Sequence, residues 1–183
     1  MSLYMDVIMA GFGGQGVMLI GNLLAYAAMD QGLNVTFMPV YGAEMRGGTS
    51  NCTVVVAEEE IGSPIIRRPK STIILNRPSL EKFQPRVADG GLQVVNTSLI
   101  DPSLIEKGRI RTAAIQANDI ADKLGSARLL NMVALGAYAK ATGVLTLERV
   151  QESLHHVVSA HYQHLLPKNA EALKAGYDAV VIN

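Results

Sequence analysis

The chain has 183 residues, and its 16 Lys plus Arg balance 16 Asp plus Glu, leaving a formal net charge of zero. That balance gives no global attraction to nucleic acid or an anionic membrane surface, and the length suits a single domain over residues 1–183. Charged residues are 17% of the chain and apolar residues 49%, which implies apolar surface hidden against partner subunits, a well-buried parallel sheet, or both.

Tyr4 to Ala10 is a short, mostly apolar run that ends in glycines, the pattern of a buried strand. Gly11 to Gly16 reads as a turn, and Val17 to Gln31 as a helix with Val17, Ile20 and Leu24 on one side and Gly32 just past its end. Asn34 to Val40 is a second strand, so the opening is a strand–turn–helix–strand unit of the kind that builds parallel sheets. Tyr41 to Gly48 is too glycine-rich for a regular element. Thr49 to Ala57 is a β-branched strand, and Glu58 to Gly62 a turn into a short strand at Ser63 to Ile66, predicting a hairpin and an antiparallel element.

Thr72 to Leu75, Leu92 to Asn96 and Ile110 to Ile115 complete the strands, with a short helix at Pro78 to Val87. From Asn118 the chain reads as helical. Asn118 to Leu124 opens this part, and Ala127 to Ala141 is apolar on most sides, hence buried. Thr146 caps an amphipathic helix running to His164, and Lys168 to Ala175 is a last helix stopped by Gly176, with an extended tail beyond it. The whole is expected to be an α/β protein: a three-layer α/β/α sandwich with a mostly parallel mixed sheet and a helical C-terminal third.

No run reaches the ~18 apolar residues of a membrane span. No basic segment followed by an apolar stretch opens the chain, and Cys52, the sole cysteine, cannot form an internal disulfide. A cytoplasmic location follows as the expectation.

Two segments carry the candidate site. Gly11, Gly13, Gly14, Gln15 and Gly16 belong to a G-x-G-x-x-G turn between a strand and a helix. Glycines there let backbone approach a ligand closely, and the helix start offers unpaired N–H groups and partial positive charge to an anion or a carbonyl. A stand-alone nucleotide-binding oxidoreductase is one reading, but the dinucleotide fingerprint also wants an acid about 20 residues on. The end of the second strand, Thr36 to Pro39, has none, and the next acid is Glu44. A purely structural or anion-binding module is another reading. The second segment holds Tyr41, Glu44, Arg46, Gly47 and Gly48. It follows the second strand, so it is expected at the same carboxyl edge of the sheet as the first turn.

With GFGGQGV, YGAEMRGGTSNCTVVV, IGSP and NMVALGA in that order, the chain resembles the gamma subunit of 2-oxoacid:ferredoxin oxidoreductases. The second segment looks closest to the 2-oxoglutarate and branched-chain types. The resemblance implies a multi-subunit enzyme that oxidatively decarboxylates a 2-oxoacid to an acyl-CoA and passes electrons to ferredoxin. Its thiamine diphosphate, Mg and [4Fe-4S] clusters are expected in alpha, beta and delta partner subunits. Coenzyme A is a substrate of the complex, and the gamma part is expected to help shape the coenzyme A region. The ten residues named above are then partner- or cofactor-facing, with no catalytic and no metal-ligating residue in this chain. In agreement, one cysteine cannot supply the four thiolates of a [4Fe-4S] cluster.

The remaining candidates have quieter readings. Cys52, in a strand, reads as an inert buried thiol. Arg67-Arg68-Pro69-Lys70 reads as a solvated loop, with an acidic partner as the alternative. His155, His156, His161 and His164 share a predicted helix but lack the carboxylate or cysteine that would complete a zinc set. Asn131, in an apolar helix, must find hydrogen-bond partners if buried.

Overall fold

The computed structural model describes residues 2–40 and 49–183. Strand β1 (Tyr4–Phe12) is buried along its middle because it has packing on both faces. Val7 and Met9 point into a large core, and Ile8 and Ala10 into a smaller one on the other side. Helix α1 (Val17–Met29), strands β2 (Asn34–Val40), β3 (Thr49–Ala57) and β4 (Ser71–Ile74), helix α2 (Arg77–Phe83), and strands β5 (Leu92–Asn96) and β6 (Arg111–Ile115) follow. The C-terminal part is α3 (Ala117–Lys123), α4 (Leu130–Thr142), α5 (Leu147–Glu152), α6 (Leu154–Val157), α7 (Leu166–Ala179) and a short β7 (Val181–Ile182).

The strands form one mixed sheet in the order β2-β3-β1-β4-β5-β6-β7. The pairs β1–β4, β4–β5 and β5–β6 are parallel, whereas β3 runs antiparallel between β2 and β1, and β7 antiparallel to β6. Helices α1, α3, α4, α5 and α7 cover one face over Val54, Val56, Ile73, Val94 and Ala113. The other face is a thinner layer in which Leu80 and Phe83 of α2, with Ile100, pack on Ile74 and Val95. This is the expected three-layer sandwich with a helical last third. Among the described residues no helix is long and apolar enough to cross a membrane.

Four local expectations are corrected. Residues 63–66 form no strand. The antiparallel element beside β1 is β3 itself, and with β4 on the other side both edges of β1 are occupied. As a result β1 and β2 are parallel but not adjacent. The stretch from Thr146 to His164 is broken into α5, α6 and a 3-10 turn at Ala160–Leu165. Ser153 turns its hydroxyl to Asp30, and the β-branched Val158 is extended. Gly176 does not end a helix. It lies inside α7, where a β-carbon would sit 1.9 Å from the Val133 carbonyl oxygen, while one on Gly136 of α4 would sit 1.9 Å from the Leu173 carbonyl oxygen. Two helices in backbone contact require glycine at both positions.

Candidate functional site

The glycine turn starts two residues later than its sequence pattern predicts. Gly11 and Phe12 belong to β1, paired with Ser50 and Thr49 of β3. The chain then reverses through exposed Gly13 and Gly14, and Gly16 stands at the N-cap of α1 with φ 74, a left-handed conformation that penalises any β-carbon. Among the described residues no side chain caps α1. The first N–H groups of such a helix start favour an acceptor at its positive end.

One side chain of the turn itself and two from other elements hold it. Gln15 folds back, and its Oε1 accepts from the Phe12 backbone N–H at 2.6 Å and from Asn76 Nδ2 at 3.4 Å. Asn76 also caps α2 by accepting from Ser79 N–H at 2.9 Å. Asn131 of α4, buried as expected, donates from Nδ2 to the Gly16 carbonyl at 3.3 Å and accepts from Met132 N–H at 2.8 Å. A β-carbon on Gly16 would meet that same Nδ2 at 2.1 Å. Further along the edge, Asn96 donates to the Leu75 carbonyl at 3.2 Å and to Asn118 Oδ1 at 2.8 Å, and accepts from Ala117 N–H at 3.0 Å. Buried amides thus tie together the carboxyl ends of β1, β4 and β5 and the starts of α2, α3 and α4, leaving their backbone groups satisfied.

Among the sequence candidates, Gly13, Gly14, Gln15 and Gly16 come together in the turn, with Gly11 at its root. Tyr41, Glu44, Arg46, Gly47 and Gly48 lie outside the described residues. The strand ends that flank them are at the edge of the turn: Val40 is opposite Asn51, and Thr49 is opposite Phe12. Asn76 and Asn96 escaped the sequence reading. Asn76 carries a readable signal, a capping residue two before a proline, whereas Asn96 acts through distant backbone groups that no local pattern marks. Beside Asn131 opens a cleft of about 490 Å³ with Leu19, Leu129, Val157 and Tyr162 in its walls and Arg128 at its lining. A larger groove of about 960 Å³ lies apart from the turn, along β6 and β7.

The cysteine and the histidines lie outside this turn. Cys52 is fully buried, and desolvation pushes its thiol up to about 12, which leaves it protonated at neutral pH. His161 and His164 sit exposed in the 3-10 turn, and His156 bonds Asp30 at 3.1 Å. Among the described residues no three His, Cys, Asp or Glu side chains gather as a metal site requires. The dinucleotide reading loses its crevice as well, because β3 occupies the place beside β1 that a parallel β2 would take.

The profile of the Pyruvate ferredoxin/flavodoxin oxidoreductase family matches residues 6–179. Ketoisovalerate oxidoreductase subunit VorA of Methanothermobacter thermautotrophicus is 39% identical over 173 residues, which cover 93% of this chain and 35% of that protein. The chain thus spans about a third of the length of that relative and, at 36%, of its Methanothermobacter marburgensis counterpart. Against the pyruvate/ketoisovalerate oxidoreductases common subunit gamma of Thermococcus kodakarensis, identity is 31% over 178 residues, with 94% of this chain and 95% of that one covered. The fold matches the crystal structure of a keto/oxoacid ferredoxin oxidoreductase gamma subunit from Geobacter sulfurreducens, with a TM-score of 0.84, 24% identity and coverage of 96% and 95% of the two chains.

Proposed function

The chain belongs to the pyruvate ferredoxin/flavodoxin oxidoreductase family, and on that premise we propose that it is the gamma-type domain of a multi-subunit 2-oxoacid:ferredoxin oxidoreductase. The observation that carries the reading is the nearly end-to-end correspondence with a common subunit gamma, 94% of one chain on 95% of the other. In this reading the chain is accessory to the oxidative decarboxylation of a 2-oxoacid, 2-oxoglutarate or a branched-chain acid, to an acyl-CoA. Relatives named for ketoisovalerate and for 2-oxoglutarate support those two substrate classes. In this reading thiamine diphosphate, Mg and [4Fe-4S] clusters belong to alpha, beta and delta partners; for the clusters, this chain offers one buried, protonated thiol where four thiolates are needed. The enzyme works in the cytoplasm.

The docking element is the amide-braced turn. Gly11, Gly13, Gly14, Gln15 and Gly16, with Tyr41, Glu44, Arg46, Gly47 and Gly48, are the residues assigned to contact with a partner subunit or cofactor. That contact serves the coenzyme A region. An uncapped helix start, exposed glycine backbone and the neighbouring Arg128 support an anionic or carbonyl group there. Purification of the tagged chain from its native host tests this. Thiamine-dependent partner chains should co-purify and reduce ferredoxin with a 2-oxoacid and coenzyme A. A chain isolated alone, with ferredoxin reduction residing in fractions that lack it, overturns the proposal.

A further inference from the structure

The edge of the sheet opposite the glycine turn carries a feature that the gamma-type reading does not use. Residues 58–70 connect β3 to β4 without regular structure and cross below the start of β1. A loop of that length without regular structure is more often functional than incidental. Its charges are ordered along the chain: Glu58, Glu59 and Glu60 at one end, Arg67, Arg68 and Lys70 at the other. Between and beside them stand Ile65, 65% exposed, and Tyr4, 41% exposed.

The loop is held in place. Glu58 N–H donates to the Leu3 carbonyl, Glu58 Oε2 accepts from Leu3 N–H at 2.9 Å, and Asn34 Nδ2 donates to the Glu58 carbonyl. At the other end Arg86 donates to the carbonyls of Ile66 and Arg67, Ala88 N–H to that of Pro69, and Lys70 N–H to Asp6 Oδ1 at 2.6 Å. Lys70 Nζ lies 4.4 Å from the centroid of the Tyr4 ring. Glu59, Glu60 and Arg67 have no ion-pair partner among the described residues, and Arg68 has only an exposed contact with Asp89 at 3.5 Å. Two exposed charge runs of opposite sign on a braced scaffold, with an apolar tip between, are already organised for binding.

We propose that this edge is a self-complementary surface on which two copies of the chain pair about a twofold axis. An isologous interface demands that residue i meet j while j meets i. An acid–apolar–base sequence satisfies that demand when one copy lies antiparallel to the other, with Glu59 and Glu60 of each against Arg67 and Arg68 of its mate and Ile65 packed between. A nucleic acid or any purely acidic partner would leave the glutamates unmatched, and the net-neutral chain has no charge to keep copies apart. The glycine-turn edge stays free for other chains.

Sedimentation equilibrium of the full chain tests this. The wild type should dimerise, and raising salt from about 0.05 to about 0.5 M should weaken the dimer. The chain with Glu59→Lys and Glu60→Lys should dimerise about ten-fold or more weakly, as should the chain with Arg67→Glu and Arg68→Glu. Mixed in equal amounts, the two should recover a heterodimer. Ile65→Asp should dissociate the dimer without a change in melting temperature, and circular dichroism should show every variant folded. A monomeric wild type overturns the proposal. So does a dimer that survives both charge reversals, or a mixture that stays monomeric.

Discussion

Glycine does opposite work in two parts of this molecule. At the α1 start, Gly14 and Gly16 are chosen for a left-handed backbone, with φ of 93 and 74, at the surface. At the α4–α7 crossing, Gly136 and Gly176 have ordinary helical backbone and are chosen because a neighbouring backbone occupies the place of their side chain. The turn keeps backbone available to something outside; the crossing uses it up inside. Substitutions at the crossing should therefore act on folding, and those at the turn chiefly on what docks there.

The largest effect should come from the crossing. Gly136→Ala or Gly176→Ala puts a methyl 1.9 Å from a carbonyl oxygen on a rigid helix, so the helices must separate along a buried seam. Destabilisation of about 3 kcal/mol or more is expected, read as a large drop in urea midpoint at unchanged slope. Melting near wild type for both would mean that the helices slide freely, and the contrast between the two regions would fail.

Gly16→Ala comes next, because it combines the two glycine roles. It pays for the left-handed conformation and drives a methyl to 2.1 Å from Asn131 Nδ2. About 2 kcal/mol of destabilisation is expected. Adding Asn131→Ala should recover the part due to the clash, and a double-mutant cycle isolates it. Gly14→Ala meets nothing within 4 Å among the described residues, so the backbone term dominates, about 1 kcal/mol. If Gly14→Ala reduces ferredoxin-linked turnover of the assembled enzyme while the complex stays intact, the turn does its work outside the fold.

The same contrast marks what could be read from sequence. The strand, the GFGGQG turn and the helix after it were legible because each is specified by neighbours in sequence. So was the demand of Asn131 for partners, though not that one would be the Gly16 carbonyl 115 residues away. The role of Gly176 was not legible: a glycine late in a helix looks locally like a stop, and only the approach of Val133 makes it an interior position. Likewise the insertion of β3 between β1 and β2 rests on non-local pairing. The Ser63–Ile66 run has strand-forming residues but no sheet edge beside β1 left to join.

The smallest effect concerns pH, and it separates both glycine regions from a third. Turn and crossing are built from backbone and neutral amides, so the Gly16→Ala and Gly136→Ala proteins should keep the pH profile of the wild type. Asp6 on β1 is different. It is 3% exposed, and burial raises its pKa against the lowering effects of the Lys70 N–H, Tyr4 and the Lys70 charge. A carboxyl whose folded pKa lies above its unfolded one contributes stability that is fully present below the unfolded pKa. That stability is lost as pH rises through the folded pKa, because the folded state holds the proton more tightly. Wild-type stability should therefore fall from about pH 4 upward relative to Asp6→Asn, which stays neutral and keeps an acceptor for Lys70 N–H. At neutral pH the variant should be within about 1 kcal/mol of the wild type or above it. Urea titrations across that range, run on the Asp6→Asn and glycine variants together, should give one flattened profile among otherwise parallel ones. A parallel Asp6→Asn profile would mean that the carboxyl ionises as easily in the folded protein as in water.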